Sequence, residues 1–310
     1  MRRNMSEPAV KWRKKRTKLE MDSGSSASSS ASSTPSMQKK RSVPKGSNWA
    51  PLVTGNHEDF ENMASELKDY INSGQNDIDH IDYIMQKTFP LRRSLVNTGP
   101  PIQTILEEYP ALKIVEVCPK EMTRLTCVDA MKIFKTNLTK IPENVMNIIK
   151  NKKKKTERSD AIINRLDCVI ADLDEITPKS VFVHKLIASC LMLPHLFDED
   201  DGSFIKEIST DENLMELVKC GPRTPFIIAI KPFDSKNRIF YIAVEGNIIL
   251  NNKDILEAVF LLMSTYWIFY IEYPIKARHT YQFLQHFALQ LSFGETPAKK
   301  VITIAQKVSI

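Results

Sequence analysis

Three side chains that bind metals or carry nucleophilic chemistry fall close together in this sequence: His184, Cys190 and His195. A structural zinc needs four tetrahedral ligands, and only these three are local, at spacings unlike the paired ligands of zinc fingers. Packing is the reading this pattern supports. Cys220 with His279 or His286 would form a thiol–imidazole pair of the kind that meets only in space. The acidic run Asp198-Glu199-Asp200-Asp201-Gly202 superficially resembles a calcium loop. With Gly202 at the sixth loop position, Phe197 takes the first and Ile208 the twelfth, where carboxylates are required, so a solvated turn is expected.

Other site motifs are missing from the sequence. It holds no Gly-x-x-x-x-Gly-Lys phosphate loop, no Gly-x-Gly-x-x-Gly turn, no Gly-x-Ser-x-Gly elbow and no His-Glu-x-x-His helix. Nine glycines leave little material for phosphate-cradling loops. No catalytic residue, metal or cofactor is therefore assigned.

Cations are the remaining candidates. The formal net charge is +6, but residues 1–46 carry twelve Lys or Arg against three acids, which leaves 31 bases against 34 acids in the rest. The basicity belongs to the N-terminal arm, so the body lacks the uniformly cationic face of a nucleic-acid-binding domain. Two clusters lie in that arm: Lys11, Arg13, Lys14, Lys15, Arg16 and Lys18, then Lys39, Lys40, Arg41 and Lys45. Runs of this density read as nuclear import signals, as anion contacts or as solubilising tails. A third run, Lys150 to Arg158, includes Lys152, Lys153, Lys154 and Lys155, which can contact phosphates through counterion release. No aromatic residue interleaves it, so base stacking is not indicated.

The elements that would position these groups follow from periodicity. Residues 1–46 read as a disordered basic, serine-rich tail, with too few large apolar side chains to offset ordering entropy. Residues 47–76 form a bridge with a short helix, residues 77–220 a helical region, and residues 221–310 a β-meander with C-terminal helices, the last two regions being able to merge into one domain. Helical spacing runs from Asp59 to Ser73 and from Asp77 to Phe89, where Pro90 stops it. Further helices are expected over Ile102 to Tyr109, between Lys120 and Ile149 with a new turn at Pro142, over Asp160 to Leu173, and over Lys179 to Leu191.

Phe226 to Ile230, Ile239 to Val244 and Ile248 to Leu250 are rich in strand formers, with Pro232 to Asn237 and Gly246-Asn247 as turns. The fold class expected is α+β, mostly helical, with a small three-stranded antiparallel meander near 225–250 packed against the C-terminal helices. Asn252 or Asp254 can cap the apolar helix that follows, over Ile255 to Phe269. That helix is short for a bilayer crossing and contains Glu257, so it reads as a core helix and no membrane insertion is expected. Phe260, Leu261 and Phe287 are expected in the core, under helices over Ala277 to Leu291 and Pro297 to Ile310. Five scattered cysteines without a CxxC pair, and no secretory leader, indicate reduced intracellular thiols.

Two stretches resemble a known family. Ile81-Asp82-Tyr83-Ile84-Met85-Gln86-Lys87-Thr88-Phe89-Pro90-Leu91-Arg92-Arg93, Pro101-Ile102-Gln103 and Glu108-Tyr109-Pro110-Ala111-Leu112 make up the first. Ile242 to Leu250 and Tyr273 to Gln285 make up the second. Together they resemble proteins similar to sterile-alpha-motif domain-containing protein 3, over roughly residues 78–310. The resemblance implies a fold and carries over no activity, catalytic residue or cofactor. The helical module that gives the family its name is not expected within residues 1–76, which are too basic and serine-rich, so polymerisation through that module does not carry over.

These features lead first to a non-catalytic intracellular interaction protein with unknown protein partners, nuclear if the arm is an import signal and cytoplasmic otherwise. The alternative is a nucleic-acid-associated factor of mobile-element descent, using the arm and the Lys150–Arg158 loop. An enzyme of unrecognised type is the third.

Overall fold

The computed structural model describes residues 49–51, 57–173, 176–209 and 212–308. The tail cations Lys11 to Lys45 lie outside the described residues. Residues 41–310 form one compact unit.

Its first part is a run of short helices, each bounded by local chemistry. α1 (His57–Asn72) leads into α2 (Ile78–Lys87), whose N-cap Asp77 accepts from the Asp79 and His80 amides. Pro90 does not end the helical path as expected. It sits in the first turn of α3 (Phe89–Thr98), where a missing N–H costs nothing and the fixed φ favours a start. α4 (Ile102–Glu108) and a 3-10 turn (Pro110–Lys113) follow.

The helical stretch expected between Lys120 and Ile149 is three helices: α5 (Val117–Thr126), α6 (Ala130–Leu138) and α7 (Pro142–Lys150). The first break falls at Cys127, in the left-handed region with φ 60°, followed by the Asp129 cap on Lys132 N. Reciprocal Thr–Ser caps start α8 (Glu157–Ala171) at Thr156 and α9 (Pro178–Leu196) at Thr177. Both helices therefore begin earlier than their apolar periodicity suggests.

The sheet has four strands rather than three: β1 (Ile205–Ile208), β2 (Phe226–Ile230), β3 (Ile239–Val244) and β4 (Asn247–Asn252), in that spatial order. β2, β3 and β4 form the expected antiparallel meander, whereas β1 runs parallel to β2 and reaches it through α10 (Leu214–Cys220). β1 reads Ile-Lys-Glu-Ile, too short and too polar to show alternation, which is why it escapes pattern reading. The β3–β4 turn is Glu245-Gly246, one residue earlier than the Gly246-Asn247 turn expected, and both of its residues have positive φ (49° and 80°). That is the requirement of a two-residue hairpin whose twist matches its strands.

α11 (Ile255–Ile268) is capped by Asp254 and is buried at every position except half-buried Glu257. A helix with no polar face must be enclosed on all sides. It lies on β2, β3 and β4 and is covered from the other directions by α5, α6 and α9. Its 14 residues span about 21 Å, short of a hydrocarbon core about 30 Å thick. No helix among the described residues is long and apolar enough to cross a membrane. Phe260 and Leu261 are fully buried, and Phe260 meets Phe134 edge-on with ring centroids 5.7 Å apart.

Phe287 is only half-buried. α12 (Arg278–Phe283) continues into a π-helical turn (Leu284–Ala288), whose wider winding rotates Phe287 away from the centre. The last helix, α13 (Lys299–Val308), packs on α7 and α12.

Two adjacent arginines of α3 join these parts. Arg92 is fully buried and clasps Glu121 of α5 with two bonds, Nε to Oε1 at 2.8 Å and Nη2 to Oε2 at 2.7 Å. Its remaining donors reach Met85 O and Thr88 Oγ1 at the end of α2. Burial alone would raise the Glu121 pKa. The charge of Arg92 and its hydrogen bonds outweigh that, and with Arg124 they hold the carboxyl below its ordinary value. Arg124 carries the network on to Asp82 at 2.7 Å. Arg93 turns the other way and donates from Nη1 to Ile268 O, at the C-terminus of α11, at 2.6 Å. Burial lowers its pKa to about 10.

Two outcomes are expected. Phe260→Ala should lower the stability read from urea denaturation by about 3–5 kcal/mol through lost transfer and cavity formation, and a loss below about 1 kcal/mol would contradict this core. Arg92→Met should cost about 3–5 kcal/mol at neutral pH by leaving a buried carboxylate without its main partner. The depressed Glu121 pKa means that the wild-type pair contributes fully above the unfolded carboxyl pKa and loses its contribution as pH falls through the lower folded value. The deficit of the variant should therefore shrink in acid. Denaturation across a pH series that shows a constant deficit would exclude this account.

Candidate functional site

The acidic run after α9 is the point where most of the chemistry-bearing side chains meet. It is not the solvated turn that its composition suggests. Asp198 is exposed, yet its carboxylate bridges Lys152 Nζ at 2.7 Å and Lys300 Nζ at 3.0 Å. Hydrogen bonds from those two lysines hold its pKa below the usual aspartate value. The same ammonium groups donate to the carbonyls of His195 and Phe197, so α13 and the α7–α8 loop are tied to the end of α9.

Glu199 is buried. It accepts from the amides of His279 and Thr280 at 2.8 and 2.9 Å, from Thr280 Oγ1 at 2.8 Å, and from His279 Nδ1 at 2.7 Å. It thus caps the N-terminus of α12 from a distant part of the chain, where a negative charge also suits the helix dipole. Asp200 accepts from Gly202 N at 3.1 Å and so forms the 3-10 turn Asp201–Ser203 that launches β1. Asp201 contacts Arg158 Nε, and Arg158 Nη2 also donates to Glu207 of β1 at 3.1 Å. Arg165 meets the other oxygen of Glu207.

His195 is buried next to this group. Its Nε2 stands 4.0 Å from Asp201 Oδ2 and its Nδ1 3.4 Å from Thr156 Oγ1. Burial lowers the pKa of its imidazole, with Arg158 and Lys152 acting in the same direction and Asp201 opposing. The Thr156–His195–Asp201 series has the residue types of a nucleophile triad but not its geometry. Thr156 Oγ1 accepts from Ser159 N as the cap of α8, and the imidazole–carboxylate separation exceeds hydrogen-bond reach.

The other sequence candidates are placed apart from any shared ligand position. His184 directs Nδ1 to Ser180 O at 2.8 Å and Nε2 to Phe233 O at 3.2 Å, which pins α9 to the β2–β3 loop. Cys118 and Cys190 are buried, and burial pushes both thiols up to about 12, far from the thiolate form. Cys220 is exposed, and no hydrogen bond joins it to His279 or His286 among the described residues. Among the described residues no group of three or more His, Cys, Asp or Glu side chains is arranged to hold a metal ion. In the lysine run, Lys152 is engaged by Asp198, and Lys155 lies 3.9 Å from Asp160. Lys153 and Lys154 point outward.

Pattern reading missed a surface cleft of about 400 Å³ beside this ionic cluster. Its lining brings together Arg158 of α8, the turn Asp200–Ser203, Lys206 and Glu207 of β1, Cys220-Gly221-Pro222 after α10, and Lys276. Lys206 and Lys276 are exposed and make no ion pair among the described residues. Gly221 is fixed by contact: a Cβ there would sit 2.8 Å from the Phe226 ring and 2.9 Å from Leu217 O. The charge of the three carboxylates and the isolated lysines is visible in the sequence. Their convergence depends on a strand and a helix too short to leave a periodic signal.

Comparison with known proteins agrees with the helical first part. Residues 60–114, which run from within α1 past the 3-10 turn and include Arg92 and Arg93, match the family model described as sterile alpha motif domain-containing protein 3, helical domain. The human sterile alpha motif domain-containing protein 3 is 24% identical over 226 residues, covering 71% of this chain and 39% of that protein. The mouse protein is 23% identical over 264 residues, covering 78% and 46%. The chain thus spans less than half the length of these relatives. No solved structure matches it. Across most of its length, including the helical domain, the chain is distantly similar to sterile alpha motif domain-containing protein 3.

Proposed function

We propose that this protein is a non-catalytic interaction protein whose compact unit presents the outer face of its sheet to a protein partner. One observation carries the reading. The inner face packs on α11, but among the described residues the outer face packs against the seven residues of α10 alone. Ile228 and Phe226 are buried beneath that helix, while Ile230, Tyr241 and Ile248 remain half-exposed around it. The register places Ile230 opposite Ile239 and Ile228 opposite Tyr241, so these side chains adjoin on one face. Met215 of α10 adds an outward apolar side chain that is 54% exposed. A contiguous apolar surface of this kind marks an interaction site more often than scattered exposed residues do.

The use of polar side chains supports the same reading. Glu121, Glu199, Glu207, His184 and Arg92 all hold elements together through caps and ion pairs, which leaves them no free valence for chemistry. In the lysine run Lys150, Lys153, Lys154 and Lys155 are exposed, whereas Lys152 and Arg158 are taken up by Asp198, Asp201 and Glu207, which reduces the charge available for counterion release. The basic arm, with Lys11, Arg13, Lys14, Lys15, Arg16, Lys18, Lys39, Lys40, Arg41 and Lys45, would direct the chain to the nucleus.

Two experiments test this. Affinity capture from cells with the intact chain should recover proteins that a Tyr241→Asp/Met215→Asp variant of unchanged melting temperature does not, and identical recovery would exclude the outer face. A reporter fused to residues 1–46 should accumulate in nuclei, whereas even distribution would remove the import role.

A further inference from the structure

We infer that the cleft between Lys206 and Lys276 recognises an acidic segment of a protein partner, whose carboxylates lie between the two lysines while its apolar side chains cover the outer face of the sheet. This rests on the interaction reading above and specifies the chemistry of the partner.

The charge pattern at the cleft gives the first reason. Its carboxylates are already engaged. Asp201 and Glu207 are bound by Arg158, and Glu207 also by Arg165. Asp200 is directed into its own turn, accepting from Gly202 N and Ser203 Oγ. Lys206 and Lys276 are the cations of the lining that have no carboxylate partner among the described residues. With the three carboxylates of the lining engaged in this way, the two ammonium groups that form no ion pair among the described residues are the open charges of the cleft and favour an anion, although Lys206 also helps to hold the Glu212 carboxyl below its ordinary value.

Continuity with the apolar surface gives the second. Lys206 pairs in register with Ile228, and Ile208 with Ile230, so Lys206 stands on the same outer face of the sheet as Ile208, Ile230 and Tyr241. On the far wall, Lys276 follows Ile275, an isoleucine 84% exposed. Each lysine is thus next to apolar surface. A ligand that satisfies both must alternate carboxylates with apolar side chains, which an extended acidic peptide does and a free phosphate ion does not.

A random-peptide library displayed on phage, selected against the full chain and against Lys206→Glu/Lys276→Glu, tests this. Both lysines are exposed and form no ion pair among the described residues, so the double variant should keep the wild-type melting temperature. If it does not, Lys206→Gln/Lys276→Gln replaces it, with loss of preference expected in place of reversal. The wild-type chain should enrich peptides in which Asp or Glu adjoins Leu, Ile or Phe. The charge-swapped chain should enrich Lys and Arg, and should bind the wild-type selections about tenfold more weakly, the scale of two exposed charge contacts. Peptides that bind both chains equally would overturn the cleft assignment while leaving an interaction protein standing. Enrichment of basic peptides by the wild-type chain, or no enrichment at all, would also overturn it. The capture experiment with Tyr241→Asp/Met215→Asp then decides separately whether the broader reading survives. Displacement of the selected peptides by a single-stranded DNA oligonucleotide, lost in the charge-swapped chain, would assign the cleft to nucleic acid instead.

Discussion

Two guanidinium groups placed side by side in the interior set the conditions for the rest of this structure. A buried cation is tolerated only when its charge is paired and each of its donors is matched. Arg92 meets that demand with a two-pronged bond to Glu121, the carbonyl of Met85 and the hydroxyl of Thr88. Arg93 meets it at the open carbonyl end of α11. The positions of α2, α3, α5 and α11 follow from these contacts, because moving any one helix would strand a charged group in a low-dielectric interior. The stretch that matches the helical-domain family model contains both arginines, so the most recognisable part of the sequence is also the part that orients the central helix.

The acidic loop after α9 applies the same physics at the edge of the core. Carboxylates that look like cation ligands in sequence act as helix caps and ion-pair partners for segments far away in the chain. Glu199 binds the start of α12, Asp198 joins two lysines from separate elements, and Glu207 gathers two arginines of α8. Beside these engaged groups the described surface carries an apolar sheet face, and the cleft carries two lysines that form no ion pair among the described residues.

The sheet links the two regions. Its inner face is sealed by α11, whose uniformly apolar surface demands enclosure, and its outer face is left partly open because the β1–β2 crossover contains only a short helix. The asymmetry leaves one face of the sheet enclosed and the other partly exposed among the described residues. The buried Tyr266 and Tyr281 hydroxyls both reach Pro225 O at the entry to β2, so the opening strand of the exposed face is anchored from beneath.

Much of the fold was legible in the residues themselves. The meander, the enclosed helix from Ile255 and most of the helical path follow from periodicity, since burying one face or all faces leaves a repeating trace in side-chain polarity. Pro90, β1 and α10 escaped that reading: a proline that starts a helix looks like one that stops it, and elements of four and seven residues repeat their period too few times to reveal it. The candidate site was legible only as separate charges. Which carboxylate meets which cation, and which lysines are left without one, depends on distances between segments far apart in sequence. Only tertiary packing sets those distances, because ion pairs and caps act through space and leave no local spacing for a linear pattern to record.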